Sequence, residues 1–209
     1  KCSRSCSTWN SVLARVRLFL ASSNTHKVRE YRSMSEGCAI ELDLLPQFRE
    51  LPAFPEDAPT FAENAAGKAL HYSQSSEEII FADDSGLVVP ALDGAPGVHS
   101  ARYAGENASD AKRIGKLLTE MRSMKGDERS GRFVCVIAAA RAGKMLAVMS
   151  DSVEGVIADD PRGHEGFGYD PIFYFPPRGK TFAELREAEK NEVSHRGKAF
   201  RKLLASVSP

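Results

Sequence analysis

The chain has 209 residues, long enough for one substantial domain or for two small lobes sharing a core. A hydrophobic share of 42% and a charged share of 27% are those of a folded water-soluble chain and exclude wholesale disorder. Twenty-eight basic residues balance twenty-eight acidic ones, so no global positive field exists for wrapping nucleic acid or coating an anionic membrane.

Residues 1–17 carry Lys1, Arg4, Arg15 and Arg17, several serines and no acidic residue. That composition suits either a remnant of an organelle-targeting peptide or a plain extension, and segment 1–15 is expected to be a flexible extension outside the fold. Residues 16–21 (VRLFLA) read as a buried strand, and a helix follows through Met34, with Gly37 ending it. Residues 40–45 alternate apolar and acidic side chains, as a half-buried strand does. Four prolines in 46–59 make that stretch a long loop, and Thr60 with Glu63 forms a capping box opening an Ala-rich helix to about Ser73.

Residues 79–82 and 87–92 read as two strands separated by Asp83-Asp84-Ser85-Gly86, with a Gly- and Pro-bearing loop at 94–105. Residues 110–124 place Ile114, Leu117, Leu118 and Met121 on one helical face. Segments 133–140 and 145–149 predict a hairpin about Ala142-Gly143, with further strand at 153–157. Residues 163–177 are loop-rich and aromatic, Thr181 and Glu184 form a second capping box, and a last helix covers 194–205 behind Ser194. The longest apolar run, 133–140, is far short of the ~20 residues a membrane span requires. The four cysteines show no C-x-x-C spacing, which argues against a zinc or redox site and fits a cytoplasmic protein. Alternating strands and helices with a strand-rich second half imply a mixed α/β sheet flanked by helices, in one continuous unit over 16–209.

Four segments carry chemistry. Ser22-Ser23-Asn24-Thr25-His26-Lys27 lies between a strand and a helix, where backbone N–H groups and the helix dipole receive an anion; alternatively Ser and Asn merely cap the helix. Asp83 and Asp84 end a hydrophobic strand, a costly place for two carboxylates unless a cation or donors meet them. Neighbouring strand side chains point to opposite faces, so one of them can serve structure and the other hold a cation such as Mg²⁺. Phe167-Gly168-Tyr169-Asp170 offers aromatic faces and a carboxylate to a flat heteroaromatic ligand, or else packs as an aromatic turn. His195 and Arg196 open the last helix, where cations oppose the dipole and an anionic ligand relieves the misfit.

Read in order, TFAENA (60–65) with Lys68, ADDSGL (82–87), GAPGVHSARYAG (94–105), GFGYDPIF (166–173), KTFAEL (180–185) and SHRG (194–197) resemble the inosine/xanthosine triphosphate pyrophosphatases, a family acting on noncanonical purine nucleotides. The resemblance runs from about Val16 to Leu204. It implies Mg²⁺-dependent hydrolysis of ITP, dITP and XTP to monophosphate and pyrophosphate. It also implies an elongated mixed sheet in two lobes with an active-site groove between them, and a homodimer without nucleic acid or membrane partners. Carried over by position, Ser22 to Lys27 match the first triphosphate loop, Asp84 the catalytic and metal-holding carboxylate, and Ser85 and Lys68 substrate contacts. Phe167, Gly168, Tyr169 and Asp170 match the base-binding segment; Lys190, His195 and Arg196 match further substrate contacts. Glu56 stands where relatives carry a metal-associated acid. The family's first loop reads T-G-N-x-G-K; Ser23 and His26 replace its glycines here, with the His26 side chain expected to face solvent. Two other functions are compatible with the residues: a related pyrophosphatase of modified pyrimidine or guanine nucleotides, and a nucleotide sensor without turnover.

Overall fold

The computed structural model describes residues 16–74 and 76–207, and the expectation for segment 1–15 lies outside them. β1 (Val16–Leu20) leads into α1 (Thr25–Ser35), which returns the chain to β2 (Ile40–Leu44), parallel to β1. A second crossover through α2 (Phe61–Ser73) sets β3 (Ile79–Val88) parallel to the other edge of β1. β4 (Ser130–Arg141) and β5 (Lys144–Ile157) then add antiparallel, followed by the short β6 (Phe173–Phe175) and β7 (Lys180–Thr181). The seven strands form one open mixed sheet in the order β2-β1-β3-β4-β5-β6-β7. α3 (Asp110–Glu120), α4 (Glu187–Val193) and α5 (His195–Val207) complete the chain.

The period of two along β3 and β4 separates the core into layers. Leu18, Leu20, Phe81, Cys135 and Ile137 face Tyr31 of α1 and Phe200 and Leu203 of α5. The opposite positions, Ile80, Ala82, Val136 and Ala138, meet Ala65 and Ala69 of α2. Small side chains on both sides of that second layer let α2 lie close against the sheet. Further along β3 and β4, Leu87 and Phe133 pack with Ile114, Leu117 and Met121 of α3 and with Phe173 and Phe182.

Four expectations need correction. The strands expected at 79–82 and 87–92 are one strand through Asp83-Asp84-Ser85-Gly86, while Pro90–Leu92 is a 3₁₀ turn. β4 supplies the reason: Asp84 lies opposite Val136 and Ser85 opposite Cys135, so ladder hydrogen bonds override the turn chemistry of the sequence. The strands expected at 145–149 and 153–157 are likewise one, β5, because β4 pairs along its length. The second capping box opens only a three-residue 3₁₀ turn, Phe182–Glu184; Glu184 accepts from the Thr181 amide at 2.7 Å, and α4 after it was not foreseen. α3 ends at Glu120, four residues earlier than expected.

Candidate active site

The phosphate-loop candidate begins with a cap. Asn24 Oδ1 accepts from the His26 and Lys27 amides at 3.0 and 3.2 Å, and Ser22 Oγ accepts from the Asn24 amide at 3.2 Å. Among the described non-glycine residues only Gln47, Asp93 and Ala142 have positive φ, so Ser23 and His26 sit in place of glycine without backbone strain. Capping leaves room for a ligand, because Ser22, Ser23, Asn24 and Lys27 line a cleft of about 270 Å³. Thr25 and His26 do not line it. The exposed His26 ring, expected to face solvent alone, stacks on Phe167 with centroids 5.0 Å apart and planes 15° apart.

β3 divides its two carboxylates by pleat. Asp83 points to the α1/α5 face, where Lys27 Nζ lies 2.9 Å and Arg196 Nε 3.6 Å away. Burial alone would raise its pKa, but Lys27 and Arg196 hold it below the usual carboxylate range. Asp84 points to the α2 face and into the cleft. There Asn64 Nδ2 donates to Oδ2 at 3.0 Å and the Ser85 amide to Oδ1 at 2.9 Å. Burial, reinforced by Glu56 and Asp83, pushes the Asp84 carboxyl above its ordinary value despite Lys27 and Asn64. Asn64 is itself locked by Ala58, accepting from its amide at 3.0 Å and donating to its carbonyl at 3.3 Å. One helical turn on, Lys68 Nζ pairs with Glu56 at 2.6 Å.

A second cluster lies behind the cleft. Glu30 of α1 bonds Lys190 Nζ at 2.7 Å and also pairs with Arg196; Lys190 pairs in addition with Asp170. All four side chains are buried. Arg196 Nη2 donates to Ser85 Oγ at 2.9 Å, and that hydroxyl donates to Asp83 at 3.3 Å. Ser194 caps α5 by accepting from the Gly197 amide at 3.1 Å, and a Cβ at Gly197 would overlap the Asn191 carbonyl, so α5 starts directly against α4. This close start places His195 flat on Phe133, centroids 4.7 Å apart. Burial, then Arg196 and Lys190, push the His195 pKa well down, which favours the neutral imidazole, and its buried Nδ1 has no partner among the described residues.

The aromatic segment is anchored at every residue. Asp170 Oδ2 accepts from the Phe167 amide at 2.8 Å and from Lys190, leaving Oδ1 without a bond among the described residues. The Gly168 amide donates to Asp110 Oδ2 at 2.7 Å, and Tyr169 Oη donates to the Ser100 carbonyl at 3.0 Å. Gly166 has φ +72°, and a Cβ there would fall on Asp170 Oδ2, so only glycine allows this return of the chain. Lys190 Nζ lies 4.9 Å and Arg196 5.4 Å from the Phe167 ring centroid.

Glu56, Lys68, Asp84, Ser85, Phe167, Gly168, Tyr169, Asp170, Lys190, His195 and Arg196 thus share one cleft with Ser22, Ser23, Asn24 and Lys27. Of its three carboxylates, Glu56 pairs with Lys68 and Asp170 with Lys190; Asp84 alone has no cation within 4.0 Å among the described residues. No group of three or more His, Cys, Asp or Glu side chains able to hold a metal occurs among the described residues. Mg²⁺ does not need one, since it binds through one or two carboxylates plus phosphate and water. Asp84 and Glu56, the second close enough to raise the pKa of the first, fit that requirement. Sequence reasoning passed over Asn64, Glu30 and Asp110. Asn64 carried a signal, four residues before Lys68 on one helical face; Glu30 and Asp110 look like ordinary helix-surface acids in the sequence.

An open mixed sheet with a cation-lined cleft, one unpaired carboxylate and an aromatic wall defines an α/β protein built to receive a flat, polyanionic ligand. The chain belongs to the Ham1 family, whose sequence profile matches residues 18–206. A Geobacillus kaustophilus protein named dITP/XTP pyrophosphatase is 48% identical over 186 residues, 89% of this chain and 91% of its own. A Desulfotalea psychrophila protein of the same name is 46% identical over 91% of this chain and 84% of its own. Among solved structures, a HAM1 protein from Coxiella burnetii superposes with TM-score 0.81 at 41% identity, covering 91% of this chain and 97% of that one.

Proposed function

We propose that the chain is a Mg²⁺-dependent nucleoside-triphosphate pyrophosphatase that converts ITP, dITP and XTP to the monophosphate and pyrophosphate. The observation that carries this function is Asp84, the one carboxylate of the cleft with no cation partner among the described residues. The 43–48% identical relatives are named dITP/XTP pyrophosphatase, which supports dITP and XTP among these substrates. When bound at Asp84 and Glu56, Mg²⁺ supplies charge stabilisation for the phosphates. Asp84 accepts the proton of a water that attacks the α-phosphorus; the new P–O bond forms as the bond to the bridging oxygen breaks, and pyrophosphate leaves. Burial suits Asp84 to that work, since a raised pKa makes a stronger proton acceptor. Lys68 and Lys27 face the phosphates, while Lys190 is spent on Asp170 and Glu30 and acts by holding the base segment.

Base choice rests on Asp170 Oδ1. Hypoxanthine and xanthine present N1–H, which a carboxylate accepts; adenine presents a lone pair there and is repelled. Buried polar partners of this kind discriminate by ~10⁴. A pyrophosphate-release panel of ITP, XTP, GTP, ATP and dUTP tests the function, with turnover of ITP and XTP expected to dominate. Asp170→Asn is expected to lower the ITP-to-ATP ratio of kcat/KM by at least ~10²; an unchanged ratio removes Asp170 from base reading. Turnover of dUTP above ITP would favour the pyrimidine alternative.

No helix among the described residues is long and apolar enough to cross a membrane, and the neutral chain suits a cytoplasmic enzyme with no nucleic-acid partner. A homodimer is consistent with β5, which β6 pairs only at Val156 and Ile157 and which exposes Leu146 and Val148.

A further inference from the structure

Six cationic side chains line the cleft: Lys27, Lys68, Arg102, Arg113, Lys190 and Arg196. Five are neutralised in place. Lys27 meets Asp83, Lys68 meets Glu56, Arg113 meets Asp110, Lys190 meets Glu30 and Asp170, and Arg196 meets Glu30 and Asp83. Arg102 has no carboxylate within 4.0 Å among the described residues; its one hydrogen bond runs from Nη2 to the Glu56 carbonyl at 2.9 Å. A guanidinium carries five donors in a planar fork matched to phosphate oxygens, and a neutral carbonyl occupies only one. The cleft therefore holds one unmatched anion, Asp84, and one unmatched cation, Arg102.

The backbone around Arg102 is fixed as a ligand-binding group requires. It ends the 3₁₀ turn Gly97–Arg102, which Ser100 pins by accepting from the Leu87 amide at 2.9 Å and donating to the Gly97 carbonyl at 2.6 Å. A Cβ at Gly86 would overlap Ser100 Oγ and the Gly97 carbonyl, so this turn rests directly on β3 two residues past Asp84. The bond to Glu56 puts the guanidinium at the Glu56–Lys68 end, whereas Phe167 and Asp170 sit with Lys190.

We propose that Arg102 is a catalytic residue that binds the β- and γ-phosphates and stabilises the charge on the departing pyrophosphate. The inference rests on the pyrophosphatase function above and adds a residue to it. As the attacking water's oxygen bonds to the α-phosphorus and the bridging bond breaks, its electron pair moves onto the leaving pyrophosphate, where an uncommitted guanidinium acts most strongly.

The test compares wild type, Arg102→Gln and Arg102→Lys in two ways: ITP turnover with Mg²⁺, and calorimetric binding of Mg-pyrophosphate and, separately, of IMP. Arg102→Gln keeps an amide donor for the Glu56 carbonyl but removes the charge, so it separates charge from tether. Its expected result is kcat/KM for ITP lower by ~10²–10³, pyrophosphate binding weaker by ~10-fold or more, and IMP binding unchanged, with Arg102→Lys between. Pyrophosphate binding that does not change overturns the proposal. So does equal weakening of pyrophosphate and IMP, which marks a structural tether alone. A wild type that binds both products without cleaving ITP refutes the hydrolytic function, while the binding comparison still decides whether Arg102 meets phosphate.

Discussion

Asp84→Asn lowers kcat for ITP by ~10²-fold or more, with a folded protein whose Tm stays within about 4 °C of wild type. The substitution preserves shape and removes both a charge and a proton acceptor. Asn64 Nδ2 and the Ser85 amide both donate to Asp84, and Asn64 cannot turn over because Ala58 fixes its orientation. The new amide therefore loses one of two accepted bonds, a cost of about 1 kcal/mol. Relief of a buried carboxylate offsets that loss: a pKa raised on folding means that ionised Asp84 opposes folding at neutral pH. The same direction sets the pH dependence. Protons compete with Mg²⁺ for the raised Asp84 carboxylate, so at limiting Mg²⁺ wild-type kcat/KM falls on the acid side at a pH above the ~4 of an ordinary aspartate. Steady-state kinetics between pH 4 and 8 with thermal melts checks both statements, and near-normal turnover by the variant would remove Asp84 from the chemistry.

Lys190→Met unfolds more easily than wild type by about 3–5 kcal/mol, a Tm loss of roughly 6–20 °C. Among the described residues Lys190 is the sole cation on buried Asp170 and one of two on buried Glu30. A methionine fills the stem's volume and leaves the Asp170 charge uncompensated, which is the costly way to break a buried pair. Adding Asp170→Asn to Lys190→Met removes that stranded charge, so the double variant loses less than the two single effects combined. The pH window follows from the shifts. Burial would depress Lys190, but Asp170 and Glu30 hold its pKa above the ordinary value, so its contribution is complete below ~10.4 and fades as pH rises through the higher folded value. Burial would raise Glu30, but Arg196 and Lys190 hold it low, so its contribution is complete above ~4.3 and fades as pH falls through the lower folded value. The difference between wild type and variant is therefore flat on the alkaline side up to about pH 10, and it shrinks as pH falls, because Asp170, pushed up by burial despite Lys190, rises further without its cation and takes up a proton in the variant. Urea midpoints at constant m-value measure it; equal stability would show that the cluster is not what ties α1, α4 and the base segment together.

The two predictions separate chemistry from support, and the carboxylates in them differ in how readable they were. Asp84 announced itself as an acid at the end of an apolar run, and its opposition to Asp83 followed from strand pleat alone. Lys190 stood out only as a substrate contact implied by resemblance, and nothing in its polar stretch marked it as buried or as the partner of Asp170. Glu30 gave no sign of burial, because its partners Lys190 and Arg196 stand 160 and 166 residues further on. Arg102 lay inside a recognised motif without a role, since its distinction is the absence of a counter-charge, which only a three-dimensional inventory of neighbours reveals.

Local order was written into the chain: the two crossovers through α1 and α2, the Thr60 and Ser194 caps, the hairpin at Ala142-Gly143 and the chemistry-bearing segments. These depend on side-chain period and on groups within a turn of one another, which neighbouring residues specify. Tertiary structure decided the continuity of β3 through its two aspartates, because β4 had to be in place to satisfy that backbone. It also decided which cations are already matched and which carboxylate is not. Charge pairing across the cleft joins residues far apart in sequence, and burial removes the water that would otherwise make those pairs interchangeable.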